Sequence, residues 1–199
     1  MPTAMLPPSQ PSRPKHWTRA EYEHLVRIGF FTTEDRLELL EGELVEKMSQ
    51  KSPHSSVVLR LMRLFFTQFG HQYQVRLQMP LALTADSMPE PDIALVEGDD
   101  FAYLEEQPTT ASLIIEVADT TLDTDRRIKS GLYAEAEIAD YWIVNINDRV
   151  LEVHREPAPM SSTKSGYGYR FVRHYTEQEQ IAPLFAPEIV LYVKALLPK

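Results

Sequence analysis

The feature that most limits how this chain can fold is an apolar run, residues 113–117, that contains one carboxylate. The run is apolar on what would be both faces of a strand, which is typical of a strand covered on both sides. Glu116 lies inside it, and burying an unpaired carboxylate costs several kcal/mol. The run therefore predicts an inner strand with a compensating positive charge or a metal ion close to Glu116.

A second carboxylate, Asp92, opens another strand-like run directly after Pro91, and Lys129 follows Glu116 by thirteen residues on a predicted helix. Two carboxylates with a lysine nearby are the smallest set that a metal-dependent phosphodiesterase needs. Each of these three residues also has an interpretation in which it serves the structure and not catalysis. Asp92 is also compatible with a cap or turn residue, and Glu116 with one half of a buried ion pair. Lys129 and Asp125 have the spacing of a helix-surface salt bridge.

Composition predicts a single domain that is not exported. The chain has 199 residues, 43% of them hydrophobic, which is enough for one core. Residues 1–15 contain five prolines and predict a disordered tail, with one domain over residues 16–199. The absence of cysteine excludes disulfides and thiolate metal sites and is typical of a reducing cytoplasm. No apolar run approaches membrane-spanning length, so we expect a cytoplasmic protein without membrane contact.

The charge distribution permits a nucleic-acid site but does not require one. The net charge of −9 argues against tight binding of nucleic acid by the overall field. Residues 47–85 nevertheless contain five basic residues and no acid, whereas residues 86–106 contain eight acids and no base. A basic face beside an acidic site suits a nuclease, and a solvated surface explains the same pattern equally well.

Capping, turn and periodicity signals predict an α/β (α+β) fold in which helices flank a mixed sheet. Thr18 and Glu21 form a capping box for a first helix that Gly29 ends, and Glu41-Gly42 is typical of a hairpin turn. Ser52-Pro53 opens an amphipathic helix that ends at Gly70. The remaining predicted elements are strands 73–83, 92–96 and 113–117, a helix 123–136, strands 141–145, 150–155 and 167–175, and an element of undecided type at 189–197.

These elements and several short stretches together resemble one known family. The stretches are residues 39–45 (LLEGELV), 52–54 (SPH), 91–93 (PDI) and 115–117 (IEV), then Asp125, Lys129, residues 133–134 (YA) and 140–144 (DYWIV). In this order and spacing, over residues 18–155, the chain resembles the Uma-two family of the restriction-endonuclease-like, PD-(D/E)XK nuclease superfamily. The resemblance implies a restriction-endonuclease-like mixed sheet with an added N-terminal helix and hairpin and added C-terminal antiparallel strands.

The resemblance also implies roles for particular residues. The superfamily places a lysine two residues after the third-strand acid, where this chain has Ala118, and the Uma-two pattern supplies it from the following helix as Lys129. Asp92, Glu116 and Lys129 are then the catalytic residues, and Asp92 and Glu116 ligate Mg²⁺ or Mn²⁺. Accessory roles fall to Glu43 as a further metal ligand, His54 as a phosphate or carboxylate contact, Gln78 on the first strand, and Asp125 as a partner of Lys129. Glu43 as an exposed hairpin residue and His54 as an ordinary histidine are the structural alternatives.

The function that the resemblance implies is a metal-dependent phosphodiesterase, specifically a DNA endonuclease in which a metal-activated water attacks the phosphate. A homodimer would suit the cutting of both strands of a duplex. The alternative is a catalytically silent nucleic-acid-binding or assembly module of the same fold, favoured by the net acidity and by Ala118. A third interpretation is hydrolysis of some other phosphodiester.

Overall fold

The computed structural model describes residues 14–47, 52–99 and 101–198. Residues 1–13 of the predicted tail lie outside the described residues, so the disordered tail stays a prediction. Within the described part, Lys15 is held against the first helix by an ion pair of 2.6 Å with Glu21. No helix among the described residues is long and apolar enough to cross a membrane.

The described chain contains five α-helices and ten strands in a mixed order. The N-terminal part comprises α1 (Arg19–Arg27), a 3₁₀ turn (Thr33–Asp35), β1 (Leu37–Leu40), β2 (Glu43–Glu46), α2 (Ser52–Phe69) and β3 (Tyr73–Arg76). The centre comprises β4 (Ile93–Glu97), β5 (Leu113–Ala118), α3 (Leu122–Thr124), a π-helical turn (Asp125–Lys129), α4 (Ser130–Glu135) and β6 (Asp140–Asn145). The C-terminal part comprises β7 (Val150–Pro159), β8 (Tyr167–Tyr175), β9 (Gln180–Ile181), β10 (Leu191–Tyr192) and α5 (Val193–Leu196).

Six strands form one mixed sheet in the order β3-β4-β5-β6-β7-β8. Only β5 and β6 are parallel, and the helical segment 122–135 makes the crossover that a parallel pair requires. In the antiparallel β4–β5 pair Ile93 faces Ile115, so Asp92 and Glu116 are the next neighbours along the two strands. The register of the sheet therefore brings together two carboxylates that are 24 residues apart in the chain.

The sheet is covered on both faces, as the apolar run at 113–117 predicted. Every residue of β5 and β6 is buried. On one face Ile115 and Trp142 pack with α2 and α5, and on the other Ile114 and Tyr141 pack with α4. Glu116 alternates with Ile115, so its side chain belongs to the face that the helical segment 122–135 covers.

Local signals placed most elements correctly. Thr18 and Glu21 form the capping box of α1, and Gly29 follows the helix with φ +73°. Glu41 and Gly42 have φ +47° and +75° in the hairpin turn, which suits a tight two-residue connection. The helix after residue 51 begins at Ser52 and ends at Phe69.

The predicted strand 73–83 is wrong in its second half. β3 ends at Arg76, and Gln78 adopts φ +49°, in the left-handed region outside the extended conformation of a regular strand. The Gln78 amide donates to the carbonyl of Pro91 at 3.0 Å, so the chain turns here towards the start of β4. The undecided element at 189–197 is the short strand β10 followed by α5, and β10 pairs with β9.

Candidate active site

A pocket of about 1,100 Å³ opens between the N-terminal helix and hairpin on one side and the ends of β4 and β5 on the other. Six of the seven residues singled out in the sequence line it: Asp92, Glu116, Lys129, His54, Gln78 and Asp125. The sheet register supplies the two strand acids, the helical segment 122–135 supplies Lys129 and Asp125, and the first turn of α2 supplies His54. The structure therefore gathers residues from four separate elements around one space.

Asp92 is buried and fully oriented by hydrogen bonds. Its Oδ1 accepts from Gln78 Nε2 at 3.1 Å, and its Oδ2 accepts from the Val117 amide at 2.9 Å and lies 3.0 Å from His54 Nε2. Burial acts to raise the pKa of Asp92, but the hydrogen bond and charge of His54, with the Val117 amide, outweigh it and lower that pKa below its ordinary value. Asp92 is therefore an anion at neutral pH, as a ligand for a cation must be.

His54 responds to Asp92 in the opposite direction. Burial acts to lower the pKa of His54, but the hydrogen bond and charge of Asp92 outweigh it, and the pKa lies above its ordinary value. The Nδ1 atom of the same ring is buried and, among the described residues, has no hydrogen-bond partner. The contact with Asp92 is thus a charge-assisted pair, and it makes His54 a residue that positions the carboxylate.

Glu116 is the more deeply buried acid, with 3% of its surface exposed. Its Oε1 accepts from Lys129 Nζ at 2.9 Å and from the Tyr133 hydroxyl at 2.7 Å, and its Oε2 accepts from the Asp92 amide at 3.3 Å. Burial raises the pKa of Glu116 above its ordinary value, although the protonated Lys129 beside it acts to lower that pKa. A lysine, a tyrosine and a backbone amide therefore compensate the burial of the Glu116 carboxylate.

Lys129 points into the site rather than along the helix surface. Its Nζ lies 2.9 Å from Glu116 and 3.7 Å from Glu38. Burial acts to lower the pKa of Lys129, but the surrounding carboxylates outweigh it and hold the pKa above its ordinary value. The alternative of a surface salt bridge with Asp125 is wrong, because Lys129 is buried and Asp125 accepts from Thr121 Oγ1 at 2.7 Å instead. Asp125 interacts with Lys129 through its charge. Burial raises the pKa of Asp125 to about 6.

Asp125 and Lys129 lie on a π-helical turn. The Ser130 amide donates to the carbonyl of Asp125, five residues back, so the helix is locally wider than an α-helix. Asp125, Lys129 and Tyr133 follow one another at four-residue spacing and are all buried on the face towards β5. Turns of this kind occur frequently at functional sites.

Glu38 is the functional residue that the sequence analysis missed. It lies on β1 with 5% of its surface exposed, faces Lys129, and accepts from the Glu90 amide at 3.1 Å. The signal was present, because Glu38 stands in the apolar strand LELL as Glu116 stands in LIIEVA. Glu43, the further metal ligand that the resemblance implied, is exposed on β2 and does not line the pocket with the other candidate residues.

The donor set fits a hydrated hard cation. Among the described residues no three side chains of His, Cys, Asp or Glu converge in a way that could hold a metal ion. In each acid, one carboxylate oxygen accepts a single hydrogen bond from these residues: Oδ1 in Asp92 and Oε2 in Glu116. Because a carboxylate oxygen has two lone pairs, each of these atoms can also bind a cation. Mg²⁺ retains several waters and is usually held by one or two carboxylates and a substrate phosphate. The two acids thus suit such an ion, whereas a site made of protein ligands alone is not formed.

Comparison with known proteins agrees with this architecture. A model of the Uma2 family, described as "Putative restriction endonuclease", matches residues 19–194. The fold is similar to the crystal structure of "a putative nuclease belonging to DUF820" from Anabaena variabilis ATCC 29413, with a TM-score of 0.66. The two sequences are 17% identical, and the similarity covers 90% of this chain and 96% of that one. No match was found among the curated proteins.

Proposed function

Since this chain belongs to the Uma2 family and has the restriction-endonuclease-like fold, we propose that it is a divalent-metal-dependent phosphodiesterase that cuts DNA internally. One observation carries the proposal. Asp92 and Glu116 lie side by side on neighbouring strands at the edge of a large pocket, with the buried Lys129 on Glu116. A pair of acids and a lysine in this arrangement is what hydrolysis of a phosphodiester by a metal-activated water requires.

The residues of the chain have distinct tasks in this proposal. Asp92 and Glu116 would hold Mg²⁺ or Mn²⁺, which when bound polarises the scissile phosphate and lowers the pKa of a water. His54 and Gln78 fix the orientation of the Asp92 carboxylate. Lys129 stays protonated because its pKa is raised, so it supplies positive charge to the transition state and does not serve as a general base.

The alternative function is a silent module that kept the fold and binds or assembles without cleavage. One observation favours it: in the part of the chain that the structure describes, seven carboxylates and three lysines and arginines line the pocket. Such a surface repels a phosphate backbone unless cations are bound. The two proposals therefore differ in whether the acid pair binds a divalent ion and the protein then cuts.

The deciding experiment is a cleavage assay with supercoiled plasmid, single-stranded DNA and RNA in Mg²⁺ or Mn²⁺. We expect cleavage by the parent and a loss of roughly 100-fold or more for Asp92→Asn, because one of the two carboxylates that would hold the metal is gone. Glu43→Gln is the matched control, since it removes an exposed carboxylate outside the pocket. Cleavage that survives in Asp92→Asn would contradict the site, and a metal-indifferent parent that cuts nothing would favour the silent module.

We also propose an oligomeric state and a cellular location for the protein. A homodimer would place two sites on one duplex, and sedimentation analysis of the parent tests it. A cytoplasmic location is the other, and fractionation of cells that express the protein tests it.

A further inference from the structure

One wall of the pocket is aromatic and apolar. Tyr22, Val26 and Phe31 line it, and Phe30, which is outside the lining, packs against Phe31 with a ring-centroid separation of 5.0 Å. Phe31 also lies 6.1 Å from Tyr22, so the rings form a row from the interior to the surface. Phe30 is 67% exposed and Ile28, next to it in the chain, is 60% exposed. An exposed apolar patch of this kind, continuous with the lining of a pocket through Phe31, is typical of a binding surface.

The backbone holds these rings in place. After α1 ends, the amides of Phe30 and Phe31 both donate to the carbonyl of Leu25, at 2.9 and 3.4 Å. The Tyr22 hydroxyl donates to the carbonyl of Leu37 at 3.0 Å and ties α1 to the hairpin. The aromatic row is therefore a fixed platform whose outer ring stays in water although it contributes little to the core.

The charges around the pocket limit which nucleic acid can approach it. Among the described residues, seven lining carboxylates oppose three lysines and arginines, and a double helix carries one phosphate charge per about 1.7 Å of its axis. A single strand has a lower charge density and can also present unpaired bases, which a duplex keeps inside its stack. Stacking of bases on aromatic rings does not depend on charge, so it can offset the repulsion.

We propose that the wall of Tyr22, Phe31 and Phe30 binds the bases of a single DNA strand and that the site therefore cuts unpaired DNA. The proposal rests on the proposed function, because it names the substrate of the same pocket. A base that stacks on Phe30 and Phe31 keeps its strand between the aromatic wall and the acid pair. Recognition of this kind tolerates any sequence, since every base has a flat face.

The test compares binding and cleavage of a labelled oligothymidylate, the same strand paired to oligoadenylate, and an abasic strand of equal length and charge. Binding is followed by fluorescence anisotropy with Ca²⁺ in place of Mg²⁺, and a gel verifies that the strand stays intact. The variants are Phe30→Ala, Phe30→Tyr as the conservative replacement, and Phe101→Ala as the control. Phe101 is 74% exposed on a loop that does not line this pocket.

We expect the parent to bind the single strand at least tenfold more tightly than the duplex. Phe30→Ala should weaken binding of the single strand by roughly tenfold, and Phe30→Tyr and Phe101→Ala should not. The affinity of the parent for the abasic strand should be as low as the affinity of Phe30→Ala for oligothymidylate. The abasic strand should bind Phe30→Ala no more weakly than it binds the parent. In cleavage, Phe30→Ala should raise KM and leave kcat unchanged, because stacking is equal in the ground and transition states.

Equal binding of strand and duplex by the parent, or unchanged strand binding in Phe30→Ala, would overturn the inference. If the parent cuts both forms of DNA and Phe30→Ala behaves as the parent, the proposed function stands and the inference is wrong. If the parent cuts nothing but its strand binding depends on Phe30, the platform stands and the proposed function is wrong. A change of oligomeric state in Phe30→Ala without a change in strand binding would make the patch an interface between copies, which also overturns the inference.

Discussion

At the scale of single residues the site depends most on Lys129, a buried cation among carboxylates. Its Nζ lies 2.9 Å from Glu116 and 3.7 Å from Glu38. Removing one partner of a buried ion pair leaves the other charge uncompensated, which costs about 3 to 5 kcal/mol. We therefore expect Lys129→Met to lower the free energy of unfolding by about that amount in urea denaturation.

The double variant separates this ion pair from simple loss of packing. Glu116→Gln with Lys129→Met should be destabilised by less than the sum of the two single changes, because both charges are then absent. Lys164→Met is the control, since the Lys164 side chain is 80% exposed, and it should change stability by less than about 0.5 kcal/mol. A Lys129→Met variant as stable as this control would show that the buried pair does not form. The result also matters for activity assays, because an unstable Lys129 variant loses activity for a reason other than catalysis.

At the scale of elements the β1–β2 hairpin determines where Glu38 lies, and Gly42 determines its turn. Gly42 has φ +75°, and a Cβ added there would overlap the ring of His16, which itself lies 3.1 Å from Asp86. Gly29 has nearly the same φ, +73°, but open space around it. Both glycine-to-alanine variants should lose about 1 kcal/mol from backbone strain, and Gly42→Ala should lose more because the His16 ring must move. Thermal unfolding measures both, and equal losses would show that His16 moves without cost.

Elements were predictable from the sequence wherever a local signal determined them. The capping box at Thr18 and Glu21, the turn at Glu41-Gly42 and the two-sided burial of residues 113–117 each depend on a few neighbouring residues. The strand predicted at 73–83 failed because the left-handed conformation of Gln78 is imposed by its bond to Pro91, a contact between distant residues.

The site was predictable in its residue types but not in its geometry. The apolar surroundings of Glu116 indicated a partner, but the 2.9 Å contact with Lys129 depends on how the helical segment packs on β5. Glu38 was missed because its hairpin strand had no predicted place in the tertiary structure, whereas the sheet position of Glu116 followed from its own run. Contacts between separate elements, such as Glu38 with Lys129, depend on how the hairpin packs on the helix and leave no periodic signal in the sequence.

At the scale of the whole molecule, a divalent ion bound to the acid pair should stabilise the folded state. A ligand present at about 100 times its Kd adds about 2.7 kcal/mol, which for a chain of this size raises the Tm by roughly 5 to 10 °C. We expect Mg²⁺ or Mn²⁺ to raise the Tm of the parent and of Glu43→Gln, and EDTA to reverse the rise. Asp92→Asn should show no rise, since Asp92 supplies one of the two carboxylates. A rise of equal size in Asp92→Asn would assign the ion to another part of the surface.

The stability of the whole molecule should also fall in acid because of one buried histidine, His154. Neither ring nitrogen has a hydrogen-bond partner among the described residues, and the ring packs against Tyr141 and Tyr169. Burial lowers the pKa of His154 to about 4, so between about pH 6.5 and 4 the unfolded chain binds a proton that the folded protein does not. Stability is therefore lost as the pH falls through this window, by about 2 to 3 kcal/mol at pH 4.5. His154→Phe should be close to the parent at pH 7 and more stable than it at pH 4.5 in urea denaturation, whereas the control His71→Phe, at an exposed position, should follow the parent at both values. If His154→Phe and the parent lose stability in parallel, the acid sensitivity comes from other groups.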